Sequence, residues 1–100
     1  MSTEASISAG SFDLDRAWRL DDRVAVRPEP FGALLYHYGT RRLSFLKDPT
    51  VLAVVRSLAE HPSARSACES AGVPARALPA YERALATLAR SSMIRERGER

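Results

Sequence analysis

The side chains able to carry out chemistry are few. There are two histidines, His37 and His61, one cysteine, Cys68, and an acidic pair, Asp21-Asp22. Two histidines and one cysteine do not make a tetrahedral zinc site unless carboxylates are recruited as well. Cys68 lies in an alanine-rich stretch, where it reads as a small core residue; a reactive thiolate would need an imidazolium or a helix N-terminus beside it. No serine stands in a Gly-x-Ser-x-Gly context, and no glycine-rich loop precedes a helix to cradle phosphate. His37 falls in a strand, on what reads as its less buried face, and His61 ends a helix, where a cation suits the dipole. Asp21-Asp22 falls in a loop and reads as solvated. These residues argue against an enzyme, and they offer no metal site and no cofactor site.

Composition narrows the remaining classes. One hundred residues make one small domain, and with 45% hydrophobic and 27% charged residues a packed core is expected. The net charge of +3 comes almost wholly from arginine, Lys47 being the only lysine, and it falls short of a nucleic-acid footprint. The single cysteine suggests a reducing compartment. Met1 to Gly10 lacks the cationic start and apolar core of a secretory signal, and no run approaches the roughly 18 apolar residues of a membrane helix. The expectation is a soluble cytoplasmic protein.

Three strands and three helices must position whatever site exists. Residues 1–16 read as a flexible N-terminal tail, 17–94 as the folded domain and 95–100 as a charged C-terminal tail. Phe12, Leu14, Trp18 and Leu20 form a cluster expected to dock onto the domain. Arg23 to Arg27 alternates with period two and reads as a first strand, ended by Pro28 and Pro30. Phe31 to Leu46 reads as two further strands around a two-residue turn at Gly39-Thr40. The register pairs Tyr36 with Leu43 and Leu34 with Phe45, which puts these four on one face, expected to be buried. Asp48-Pro49 starts a helix, with an N-cap followed by proline at the first position. Leu52, Val55, Leu58 and Ala59 form its stripe, flanked by Val51 and Val54. Ser63 caps a second helix whose inward residues are Ala64, Ala67, Cys68 and Ala71, with Gly72 just past its end. Leu78, Tyr81, Leu85 and Leu88 mark a third helix, and Met93 and Ile94 fold back onto the core. The order βββααα is that of a winged helix-turn-helix-like α+β domain.

Two binding readings follow. As a winged helix, the domain could read DNA with its third helix. That helix begins Ala75-Arg76-Ala77-Leu78 and carries Glu82, a thin basis for base contacts. The other reading is the free edge of the third strand. With a two-residue turn, the N–H groups of Arg42, Ser44 and Leu46 point outward, and an extended peptide could add a strand there. Every sheet has edges, and Arg42 and Lys47 blunt this one. Physics alone leaves the two accounts of the edge open.

A resemblance bears on that choice. Trp18-Arg19-Leu20, Val24 to Glu29, Gly32 to Tyr36 and Leu43 to Leu46 resemble the PqqD-like family, small peptide chaperones also called RiPP recognition elements. The string Arg27-Pro28-Glu29-Pro30-Phe31-Gly32 is closest to the mycofactocin branch of that family. The resemblance covers roughly residues 18–94. It implies a non-catalytic chaperone that binds the leader of a precursor peptide as an added strand and presents it to a radical SAM maturase. It also implies a groove between Arg42, Leu43, Ser44, Phe45 and Leu46 and the third helix, represented here by Arg83, Ala86, Thr87 and Arg90. The exposed edges and an alanine-rich helix face could also support a homodimer.

Overall fold

Alternating apolar and polar residues drive the first half of the chain into strands. The computed structural model, which describes residues 12–97, contains β1 (Trp18–Leu20), β2 (Val24–Glu29), β3 (Gly32–His37) and β4 (Leu43–Leu46). Then come α1 (Pro49–Ser57), α2 (Ala64–Ser70), α3 (Leu78–Arg90) and β5 (Ile94–Glu96). The α+β class, the three helices and the β2-β3-β4 antiparallel meander are those expected. β1 and β5 are additional. They form a separate two-stranded sheet, with Trp18 opposite Glu96 and Leu20 opposite Ile94. Strands of three residues, drawn from opposite ends of the chain, are too short to show a period in sequence.

This small sheet and the segment before it hold residues 12–16 and 95–97 of the expected tails, and Phe12, Leu14, Trp18 and Leu20 dock onto the core as expected. Leu14 and Trp18 are buried, and Phe12 stacks on Trp18 with ring centroids 4.7 Å apart. The Ala64 and Arg65 amides at the start of α2 donate to the carbonyls of Arg16 and Leu14. At the other end, Arg95 and Glu96 lie in β5 and the Arg97 amide donates to the Ala17 carbonyl. Residues 1–11 and 98–100 of the expected tails lie outside the described residues.

The hairpin keeps its expected register but not its turn or its facing. Leu34 pairs with Phe45 and Tyr36 with Leu43. The loop has four residues, 38–41, closed by Arg41 N–H to the His37 carbonyl at 2.7 Å and His37 N–H to the Arg42 carbonyl at 3.0 Å. The left-handed backbone falls on Arg41 (φ 65°) and not on Gly39. The helices cover the face bearing Ala33, Leu35 and His37, all buried, and leave Leu43 63% and Phe45 46% exposed. Alternation fixes which residues share a face but not which face the helices cover. β2 decides it: Val26 pairs with Leu35 and Val24 with His37, so β2's valines fall on that second face.

The helices follow their caps. The Asp48 carboxylate accepts from the Thr50 amide and the Ser63 hydroxyl from the Ser66 amide. The buried stripe at α1 is Val51, Val54, Val55 and Leu58, an i, i+3, i+4, i+7 series, while Leu52 is half-exposed and Ala59 exposed. The stripe is thus rotated from the one expected. In α2, Ala64, Ala67 and Cys68 are buried but Ala71 is exposed. Gly72 (φ 87°) closes α2, with Val73 N–H donating to the Cys68 carbonyl and Gly72 N–H to that of Glu69. Ser92 (φ 66°) and Met93 end α3 in the same way, through Ala89 and Leu88. Leu85, Leu88, Met93 and Ile94 are buried, with Leu78 and Tyr81 packed against them.

Candidate functional site

β4 is an edge strand, so half of its amides have no partner in the sheet. Which half follows from two hydrogen bonds. Tyr38 N–H donates to the Arg23 carbonyl, so residues 32, 34, 36 and 38 bond toward β2. His37 N–H donates to the Arg42 carbonyl, so residues 33, 35 and 37 bond toward β4. Across the register, Ser44 and Leu46 therefore bond inward to β3, and Leu43 and Phe45 direct their N–H groups outward. This inverts the expectation that Ser44 offers a free donor. A four-residue loop shifts the ladder by one residue relative to a two-residue turn. Pro28 obeys the same geometry: it sits opposite Ala33, at a position where β2 needs no donor toward β3.

The strand's far end is closely fitted. A Cβ on Gly32 (φ 152°) would lie 2.0 Å from the Leu46 carbonyl oxygen, so only glycine lets β3 and β4 approach there. Beyond it, Gly32, Leu46, Pro49 and Leu52 line a cleft of about 260 Å³ beside Phe31, which is 81% exposed at the β2–β3 tip.

The opposite end of the strand is braced by a buried polar pair. His37 is 1% exposed and Asp21 6%. The imidazole Nδ1 accepts from the Gly39 and Thr40 amides at 2.9 and 3.1 Å, which leaves Nε2 to face Asp21 Oδ1 at 3.6 Å. Oδ1 also accepts from the Arg23 amide at 2.8 Å, and Arg23 and Arg95 flank the carboxylate. Burial raises the Asp21 carboxyl, but the Arg23 amide bond and the charges of His37, Arg23 and Arg95 outweigh it and hold the group below its ordinary value. His37 therefore orders the hairpin loop from inside, a role its expected placement on the less buried face did not suggest. Cys68 is fully buried, and desolvation raises its thiol, the opposite of what a nucleophile needs.

A comparison with known families matches residues 17–95 to the model of the peptide chaperone MftB family. The chain belongs to that family. A curated relative named peptide chaperone MftB, from Mycobacterium ulcerans, is 63% identical over 91% of this chain and 84% of its own. A second, from Mycobacterium tuberculosis, is 59% identical over 86% of this chain and 79% of its own. A third, from Mycolicibacterium smegmatis, is 60% identical over 84% and 82%. No solved structure matches. A chaperone's role is non-catalytic.

Within this chaperone domain, α3 approaches the residues flanking β4 at two points. The Tyr81 hydroxyl reaches Asp48 at 3.5 Å, past the end of β4, and Ala89 lines a cavity with Thr40, before its start. At about 100° per residue, Glu82 lies about 20° and Ala86 about 60° round the helix from Ala89. Arg83 and Thr87 lie more than about 100° away, and Arg90 about 100°. Ala86 is half-buried; Arg83, Thr87 and Arg90 are exposed. The Thr87 hydroxyl donates to the Arg83 carbonyl and accepts from Arg90. Of the four helix residues named from the resemblance, Ala86 alone is half-buried, and Arg83, Thr87 and Arg90 lie further round the helix from Ala89. Among the described residues no helix is long and apolar enough to cross a membrane.

Proposed function

We propose that this chain, a peptide chaperone of mycofactocin biosynthesis, binds the leader of its precursor peptide as a fourth strand on β4 and presents it to a radical SAM maturase. One observation carries the reading: Leu43 and Phe45 present outward N–H groups, and their carbonyls, on an unpaired edge. A peptide strand there would bond to Leu43 and Phe45, and Arg42, Ser44 and Leu46 would hold the strand to β3. α3 would form the other wall, Ala86 leaving room for an apolar leader residue. Arg83, Thr87 and Arg90 would stand on the outer flank, within reach only of a leader that wraps the helix. In this reading the β2-β3-β4 sheet and the α2–α3 turn serve as a winged-helix-like frame, and the protein works in the cytoplasm with no cofactor.

Amide hydrogen exchange tests the proposal. Adding precursor peptide should protect the Leu43 and Phe45 amides, whereas Ser44 and Leu46 should already be protected without it. Unchanged exchange at Leu43 and Phe45 in a peptide-saturated sample would refute strand addition.

A further inference from the structure

Among the described residues, the outer face of the three-stranded sheet has no partner. Leu34, Tyr36, Leu43 and Phe45 share it with Ala25, and no helix packs on it, since the helical layer lies against Leu35 and Ala33. Leu43 and Tyr38 are each 63% exposed. The Tyr36 and Tyr38 rings stand edge to face, with centroids 5.2 Å apart. Beside them lies a cleft of about 300 Å³, lined by Ala25, Arg27, Leu34, Tyr36, Tyr38 and Leu43. Two tyrosines and an arginine around an apolar pocket are residue types enriched at protein-binding hot spots.

The rim of this face is cationic. Arg27 stands at the β2 side, Arg41 and Lys47, both exposed, flank Leu43 and Phe45 on the β4 side, and exposed Arg42 sits at the strand edge on the opposite parity. Among the described residues two carboxylates lie near them, Glu29, 3.4 Å from Arg27, and Asp48, next to Lys47, so the cations prevail by four to two. A second copy of this chain laid on the same face would set cations against cations. A membrane has no protruding group to fill a cleft of this size. A protein surface with an apolar knob ringed by Asp and Glu matches both shape and charge.

Continuity with β4 says which protein. Leu43 and Phe45 belong to this face and also carry the outward amides. A peptide strand added at β4 would extend the sheet, so every second peptide side chain would join the same face. We infer that the outer face of the β2-β3-β4 sheet docks the enzyme that receives the peptide, through an acid-rimmed apolar surface, and that bound peptide completes this docking face. The inference rests on the function proposed above. It makes the two bindings reciprocal: peptide raises enzyme affinity by the factor by which enzyme raises peptide affinity.

The test uses the full chain, the purified radical SAM maturase and the precursor peptide, each pair titrated separately by calorimetry. Tyr36→Thr/Tyr38→Thr keeps β-forming residues on an exposed face. It should weaken maturase binding about tenfold or more and change peptide affinity by less than about twofold. Arg27→Glu should weaken maturase binding too, and wild-type affinity should fall as salt is raised. Equal maturase affinity in these folded variants overturns the inference and leaves the peptide reading intact. Failure of the wild-type chain to bind maturase both alone and when saturated with precursor peptide overturns delivery itself, and with it the occupant named here; equal maturase affinity with and without peptide overturns the coupling. A dimer in sedimentation that the tyrosine variant dissociates would make the occupant a second copy. Binding to phosphatidylglycerol vesicles that the same variant abolishes would make it a membrane. Either result overturns the inference.

Discussion

Proline substitutions along β4 separate its two sets of amides. At Phe45, proline removes an N–H that points away from the sheet, opposite Leu34 at a position with no ladder bond, so the native hairpin loses nothing. At Ser44 it removes the N–H that donates to Leu35, a fully buried residue, and orphans that carbonyl. Orphaning a buried acceptor, with the steric conflict of a ring facing β3, costs about 2–4 kcal/mol. For a domain of this size that lowers Tm by about 10–25 °C, whereas Phe45→Pro should move it by no more than about 5 °C. For peptide binding the order reverses. One strand-to-strand hydrogen bond contributes about 0.5–1.5 kcal/mol, so Phe45→Pro should bind precursor roughly two- to tenfold more weakly than Phe45→Ala, which keeps the amide. The assay is calorimetric titration of precursor peptide, with circular dichroism melting as the folding control. If folded Phe45→Pro binds the peptide as well as Phe45→Ala does, the leader does not pair with β4. If Ser44→Pro melts like wild type, the amide directions assigned here are wrong.

Three further outcomes are expected. Asp21→Asn should destabilise the domain by about 1–3 kcal/mol in chemical denaturation at neutral pH, because a buried acceptor of several donors is weakened. Since the folded carboxyl titrates below its ordinary value of 3.8, its stabilisation is complete above about pH 4 and fades on further acidification. The gap between wild type and Asp21→Asn should therefore narrow in acid melts, and a constant gap would count against the assignment. Gly32→Ala should cost about 2 kcal/mol or more, since the new Cβ meets the Leu46 carbonyl; a melt within a degree or two of wild type would refute that close approach. Ser92→Gly should stabilise by about 0.5 kcal/mol by relieving the left-handed backbone that ends α3, read as a small rise in Tm.

Much of the architecture is legible in local residue patterns. Asp48-Pro49, Ser63 and Gly72 mark helix ends because capping is a contact between neighbours in sequence. The pairing of Leu34 with Phe45 and Tyr36 with Leu43 follows from the hairpin's length and alternation. The membership of residues 17–95 in a chaperone family was likewise readable as a resemblance, carried by the Arg27 to Gly32 string.

What the sequence determined by itself was thus the elements other than β1 and β5, the hairpin register and the family. What only the tertiary structure decided was which side of those elements is used. Two residues more in the loop reverse every amide on β4, so Leu43 and Phe45 replace Ser44 as the outward donors. The facing of the sheet depends on β2's valines and on a buried Asp21–His37 pair, whose partners lie far apart in sequence. The pairing of β1 with β5 joins the two ends of the domain. Caps and turns are written in neighbouring residues. The parity of a ladder, the covered face of a sheet and the pairing of distant strands are set by contacts that exist only once the chain has closed on itself.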